Sequence, residues 1–152
     1  MADWEARFME LARHVATWSK DRSRQVGCVV VGSDHFVRAL GFNGFPRGLD
    51  DNNEPRHQRP AKYLWTEHAE RNAIYAAARN GISLAGTRMY LSWFPCVDCA
   101  RAIVQAGIIE LVALRPDLTD PQWGEGFAVS LELLREAHVS VRYSDIVQVD
   151  KA

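Results

Sequence analysis

His68-Ala69-Glu70 and the later run Pro95-Cys96-Val97-Asp98-Cys99 have the residue types and spacing that hydrolytic metal chemistry requires. Zinc favours imidazole nitrogen and thiolate sulfur, and a catalytic zinc keeps three protein ligands with the fourth position left to water. His68, Cys96 and Cys99 supply three such donors. The two cysteines are three apart, so on the first turn of a helix both sulfurs face one side. The positive end of that helix also favours their thiolate form. Pro95 suits the start of such a helix, where the N–H it lacks would have no partner. Glu70 stands two residues from His68, near enough to take a proton from a water on the metal without ligating it; zinc brings the pKa of that water to about 7.

Taken alone, Cys-x-x-Cys also fits a structural zinc or a redox pair. A structural zinc calls for a fourth protein ligand, and the sequence offers no clear one. Cys28 falls inside an apolar run and reads as core, while His14, His35, His57 and His138 are scattered over helix faces, a turn and a loop.

The elements that must position these groups follow from periodicity. Trp4, Phe8, Leu11, Val15 and Trp18 recur at steps of four and three, an apolar stripe along one helix. The β-branched run Val26 to Val31 predicts a buried strand, and Gly32 to His35 a turn into a second strand, Phe36 to Phe42. Residues 43–60 are irregular and rich in Gly, Pro, Asp and Asn, a loop long enough to be functional or disordered. Helices are expected at His68 to Arg79, Asp98 to Gln105 and Phe127 to Ala137, with strands at Thr87 to Trp93, Ile108 to Leu114 and Val139 to Tyr143, then a loose tail. Strands joined through helices should pair in parallel. The expected architecture is therefore α/β, a five-stranded mixed sheet with helices on both faces, in one domain over residues 1–152.

Composition narrows the class. Of 152 residues 47% are apolar and 24% charged, ordinary for a soluble globular chain. A formal net charge of −1 without a basic run argues against nucleic acid as partner, since such binding neutralises many phosphates at once. No apolar stretch approaches the roughly 18 residues a membrane span needs, and the charged, amphipathic N-terminus does not read as a signal peptide. Three cysteines are a poor disulfide framework, so a cytoplasmic setting is expected.

His-x-Glu followed by Pro-Cys-x-x-Cys is the signature of zinc deaminases, in which a zinc-activated water attacks the amino-bearing carbon of a base. Four ordered blocks over about residues 17 to 108 resemble the deoxycytidylate (dCMP) deaminases within the cytidine deaminase superfamily. They are Trp18 to Gly27, Gly41 to Gly48, His68 to Ile74, and Phe94 to Ala100 continuing through Ile103 to Ile108. The resemblance implies a three-layer α/β/α cytidine deaminase-like fold, Zn2+ on His68, Cys96 and Cys99, and Glu70 as proton shuttle. It implies hydrolysis of dCMP to dUMP and ammonia. Asn43 would meet the sugar hydroxyl, the Ala69 N–H the pyrimidine carbonyl, and the backbone at Ser92 and Trp93 the exocyclic amine, with Val26 lining the base pocket. Ser19 and Lys20 would face the 5′-phosphate, joined by Arg22. Many members carry arginine where this chain has Trp18 and proline where it has Arg22, so a guanidinium would have moved within the segment.

The resemblance also implies a homo-oligomer, dimer or hexamer, and a dCTP/dTTP effector site built partly from the loop after Asn43. A solvated lid is the alternative reading of that loop. Trp123 reads equally as part of a cover over the nucleotide or as an apolar plug. The competing activities are the same chemistry on 5-methyl-dCMP, dCTP, guanine or tRNA adenosine, and a zinc-stabilised binding domain without turnover.

Overall fold

A computed structural model describes residues 3–145. The run Gly27–Val31 forms strand β1, buried at every position, as a central strand with both faces covered must be. It pairs antiparallel with β2 (Val37–Phe42) on one side and β3 (Arg88–Leu91) on the other. β3, β4 (Glu110–Ala113) and β5 (Ser140–Tyr143) then run parallel, giving the order β2-β1-β3-β4-β5.

The pleat sorts the core between two faces. Cys28, Val30, Met89, Leu91, Leu111 and Ala113 face one side, packing with Ala69, Ala73, Ala77, Ala100, Ile103, Phe127 and Leu134 from the helices there. Those helices are α4 (Ala69–Arg79), α5 (Val97–Gln105) and α6 (Gly124–Glu136). Val29, Val31, Tyr90 and Val112 face the other side, against Phe8, Met9, Ala12 and Val15 of α1 (Trp4–Ala16). Burying each such large side chain contributes about 1.5–3 kcal/mol. Helices thus cover both faces of a five-stranded mixed sheet, as the sequence predicts.

Two glycines set how close the layers come. A Cβ on Gly27 would meet the Ala12 carbonyl oxygen at 1.9 Å, and one on Gly41 the Ala69 carbonyl oxygen at 2.1 Å. Gly27 lets α1 lie against the sheet, and Gly41 does the same for α4, whose first turn carries the chemistry.

Three expectations need correction. α1 stops at Ala16, where the Thr17 N–H closes it onto the His14 and Val15 carbonyls. Trp18 therefore leaves the apolar stripe; it is 46% exposed and meets Phe42 edge-on at 6.0 Å. β2 and β3, although joined through α4, do not pair, because β1 lies between them. The stretch read as an irregular loop contains a one-turn helix, α2 (Glu54–His57), and a second, α3 (Lys62–Trp65), follows it. The tail expected after β5 lies outside the described residues.

Candidate metal centre

Two helix starts converge at one end of the sheet. His68 is the N-cap of α4 and Cys96 the N-cap of α5, with Cys99 on the first turn of α5. His68 Nδ1 lies 3.4 Å from Cys96 Sγ and 3.5 Å from Cys99 Sγ, and the three donor atoms fall within 4.8 Å of one another. Zn–S and Zn–N bonds at tetrahedral angles place nitrogen and sulfur ligands about 3.5 Å apart. The donor set fits zinc in both kind and spacing.

Local charges brace this geometry. Glu67 Oε1 accepts the His68 N–H at 3.0 Å and Arg71 Nε at 2.7 Å, fixing the residue before the ligand to the first turn of α4. Arg71 also reaches Asp98 on α5 at 3.7 Å, so one guanidinium spans both helix starts. Cys99 hydrogen bonds to Cys96 and holds its thiol down to about 4. That same contact, together with burial, pushes Cys99 up. His68 is held above its ordinary value, chiefly by its contact with Cys96. Cys28 is fully buried and its thiol is pushed well up by desolvation, as a core residue's should be.

Glu70, on the first turn of α4, is only 4% exposed. Burial raises its carboxyl above the usual range, against the pull of His68, and the Cys96 sulfur pushes the same way as burial. A carboxyl so placed, beside a cluster of metal donors, is suited to holding and releasing a proton.

Several of the residues expected around the site are joined by hydrogen bonds. The Asn43 amide accepts the Val26 N–H at Oδ1 (2.8 Å) and donates from Nδ2 to the Arg24 carbonyl (2.9 Å). Its amide thus already ties two chain segments together, leaving one N–H and one lone pair for a ligand. Ser19 Oγ donates to the Asn43 carbonyl at 2.7 Å and is buried. Ala69 sits in the first helical position, where the helix gives its N–H no partner. Ser92 Oγ accepts the Gly27 N–H at 2.9 Å, and the Trp93 carbonyl already accepts from the Leu114 N–H at 3.1 Å.

Two of the three cations in the 19–24 segment, Lys20 and Arg22, are held by acids. Lys20 Nζ lies 2.8 Å from Asp51 and Arg22 pairs with Glu54 at 2.5 Å. Trp123 packs against Phe127 and, edge-on, against Tyr63. Lys62, which the sequence did not single out, adds a further contact. Lys62 and Asp21 form a buried ion pair, and the Arg24 guanidinium lies over the Trp93 ring at 3.8 Å. Asp-x-Ser at 21–23 is an Asx-turn signal, but nothing in the sequence pairs Asp21 with a lysine 41 residues away.

The fold and the His/Cys/Cys donor set define a zinc-dependent hydrolase of the deaminase type. Residues 2–115 match the cytidine and deoxycytidylate deaminase zinc-binding region, and the chain belongs to that family. A deaminase of Aliivibrio fischeri is 38% identical over 146 residues, 94% of this chain and 95% of that protein. Human deoxycytidylate deaminase is 37% identical over 115 residues, 72% of this chain and 64% of that protein, so the chain spans less than two thirds of that relative's length. The crystal structure of the cyanophage S-TIM5 dCMP deaminase with dCMP and dUMP shares the fold, with a TM-score of 0.77, 23% identity, and coverage of 95% and 98% of the two chains.

Proposed function

We propose that this chain hydrolyses dCMP to dUMP and ammonia. The observation that carries the reading is a buried Glu70 on the first turn of α4 beside the His68–Cys96–Cys99 cluster. Relatives named deoxycytidylate deaminase support the choice of substrate. His68, Cys96 and Cys99 would hold the metal. Zinc there supplies Lewis-acid chemistry that brings water into reach of ionisation near neutral pH.

Glu70 moves the protons. Its carboxylate takes one from the attacking water and delivers it to the ring nitrogen, then takes the second from the hydroxyl now on the ring carbon and passes it to the departing amine. Burial favours the protonated form between these transfers, so the group does not discharge to solvent. Asn43 meets the sugar hydroxyl with its spare N–H or lone pair, the Ala69 N–H takes the pyrimidine carbonyl, and the Ser92–Trp93 backbone takes the exocyclic amine. Val26 flanks the base. Ser19, Lys20 and Arg22 receive the 5′-phosphate, for which Lys20 and Arg22 exchange their carboxylate partners Asp51 and Glu54 for a dianion.

The remaining expectations belong to the same reading: one domain over residues 1–152, a cytoplasmic setting, assembly into dimers or hexamers, and a dCTP/dTTP response. Among the described residues no helix is long and apolar enough to cross a membrane. Light scattering with and without dCTP and dTTP tests the assembly. Steady-state assays on dCMP, 5-methyl-dCMP, dCTP, deoxycytidine, guanine and an adenosine-bearing tRNA test the substrate. Preferred turnover of dCMP is the expected result, and equal turnover of deoxycytidine would remove the phosphate from the account.

A further inference from the structure

Lys62 is the one lysine among the described residues that the fold buries, 9% exposed, and its partner Asp21 is 5% exposed. Taking two charges out of water is costly, and an ion pair there is retained only with full hydrogen bonding. That condition is met. Lys62 Nζ donates to the Asp21 carboxylate at 3.1 Å and to Ser23 Oγ at 2.8 Å. Asp21 Oδ1 in turn accepts the Ser23 N–H at 2.9 Å, the Ser23 hydroxyl at 3.0 Å and the Arg24 N–H at 3.1 Å.

The network does not end in the turn. The carbonyl of Arg24, the residue whose N–H Asp21 accepts, takes a hydrogen bond from Asn43 Nδ2, and Asn43 Oδ1 holds the Val26 N–H. On the other side of Asp21, its own N–H donates to Ser19 Oγ at 3.2 Å, which donates to the Asn43 carbonyl. Two hydrogen-bonded paths thus run from Lys62 through Asp21 to Asn43. Lys62 itself lies on α3, six residues before His68, and the intervening chain is pinned by Gly44 and Glu67, whose backbones exchange bonds of 3.0 and 2.8 Å. One lysine therefore fastens the segment before β1 to the segment that leads into the metal centre.

We propose that Lys62 is a positioning residue for nucleotide binding. Through Asp21 it holds the Ser19–Val26 segment and Asn43 in the register a nucleotide meets, without touching substrate or metal. This rests on the dCMP reading for its ligand, but not for its first readout.

The test compares wild-type zinc protein with Lys62→Met, Lys62→Gln and the double variant Lys62→Met/Asp21→Asn. The double variant removes both charges while Asn keeps an acceptor for the Ser23 and Arg24 N–H groups. Hydrogen exchange of peptides covering residues 19–26 and 43 is read first, then dUMP affinity by calorimetry, with kcat on dCMP and zinc content alongside. Lys62→Met should speed exchange in both peptides and weaken dUMP about 10-fold or more, with zinc unchanged and kcat within about 2-fold; the double variant should recover most of the affinity. Should Lys62→Met not fold, Lys62→Gln, which keeps a donor for Asp21, carries the same comparison. Unchanged exchange, unchanged dUMP affinity in a folded variant, or no recovery in the double variant overturns the proposal. A wild-type protein that neither binds dUMP nor turns over dCMP sinks the dCMP reading instead, and the exchange comparison still decides the role of Lys62.

Discussion

His68 Nδ1 and Cys96 Sγ stand 3.4 Å apart although 28 residues separate them, because each caps a helix and both helices pack on one face of the sheet. The metal centre is thus a consequence of where α4 and α5 begin. Shortening the path to either helix would pull a donor away, whereas changes on the far face beneath α1 would leave it in place.

Removing the imidazole should remove the metal. His68→Ala leaves two sulfurs, one short of the set a catalytic zinc requires. Elemental analysis of the purified variant should find zinc largely lost, and activity with it. A normal zinc content would show that the metal sits elsewhere.

The carboxylates that hold Lys20 and Arg22 compete with any phosphate that uses them. Asp51→Asn combined with Glu54→Gln should therefore lower the KM for dCMP several-fold and leave deoxycytidine unaffected, since exposed pairs of this kind are weak and exchangeable. Steady-state kinetics on both substrates decides the matter. Equal effects on the two would show that the cations do not read the phosphate.

Asn43 is both a ligand candidate and a structural clasp, so its loss has two signatures. Asn43→Ala strands the Val26 N–H and the Arg24 carbonyl, at a cost of about 1–3 kcal/mol. Urea denaturation should show a lower midpoint, and dUMP binding should weaken. Full stability would mean that water replaces the amide.

Acid stability depends on Asp21. Desolvation alone would raise its carboxyl, but hydrogen bonds from the Ser23 and Arg24 N–H groups and from Lys62 outweigh it, and the value lies below the ordinary 3.8. A carboxyl depressed on folding stabilises the native state above its unfolded value, and that contribution is lost as pH falls through the folded value. The wild-type protein should keep this contribution down to pH 3.8 and lose it below. Lys62→Met removes one of the groups that depress the carboxyl, so its acid unfolding should begin at higher pH. Unfolding followed by circular dichroism from pH 6 to pH 2.5 checks this, with zinc content monitored so that loss of the metal is scored separately. Coincident curves would show that Lys62 does not govern Asp21.

Much of the molecule was legible before folding. The metal donors declare themselves because zinc chemistry restricts residue type and the helix turn restricts spacing. β1 is plain because a central strand is apolar without alternation. The rest is hidden for physical reasons. α1 ends at Ala16 on backbone caps from Thr17 that leave no mark in the apolar period, so Trp18 matches the period yet lies beyond the helix. α2 and α3 are single turns, too short for periodicity to register. The Lys62–Asp21 pair and the carboxylate partners of Lys20 and Arg22 are contacts across 31 to 41 residues, and local sequence carries no trace of them.

The central claim is that Glu70 is the proton carrier of a zinc deaminase, and Glu70→Gln tests it most directly. The substitution keeps the size of the side chain and touches none of the three metal donors. The variant should retain zinc and melt near wild type, while kcat on dCMP falls about 10²–10⁴-fold. Turnover comparable to wild type in a zinc-loaded Glu70→Gln protein would contradict the account.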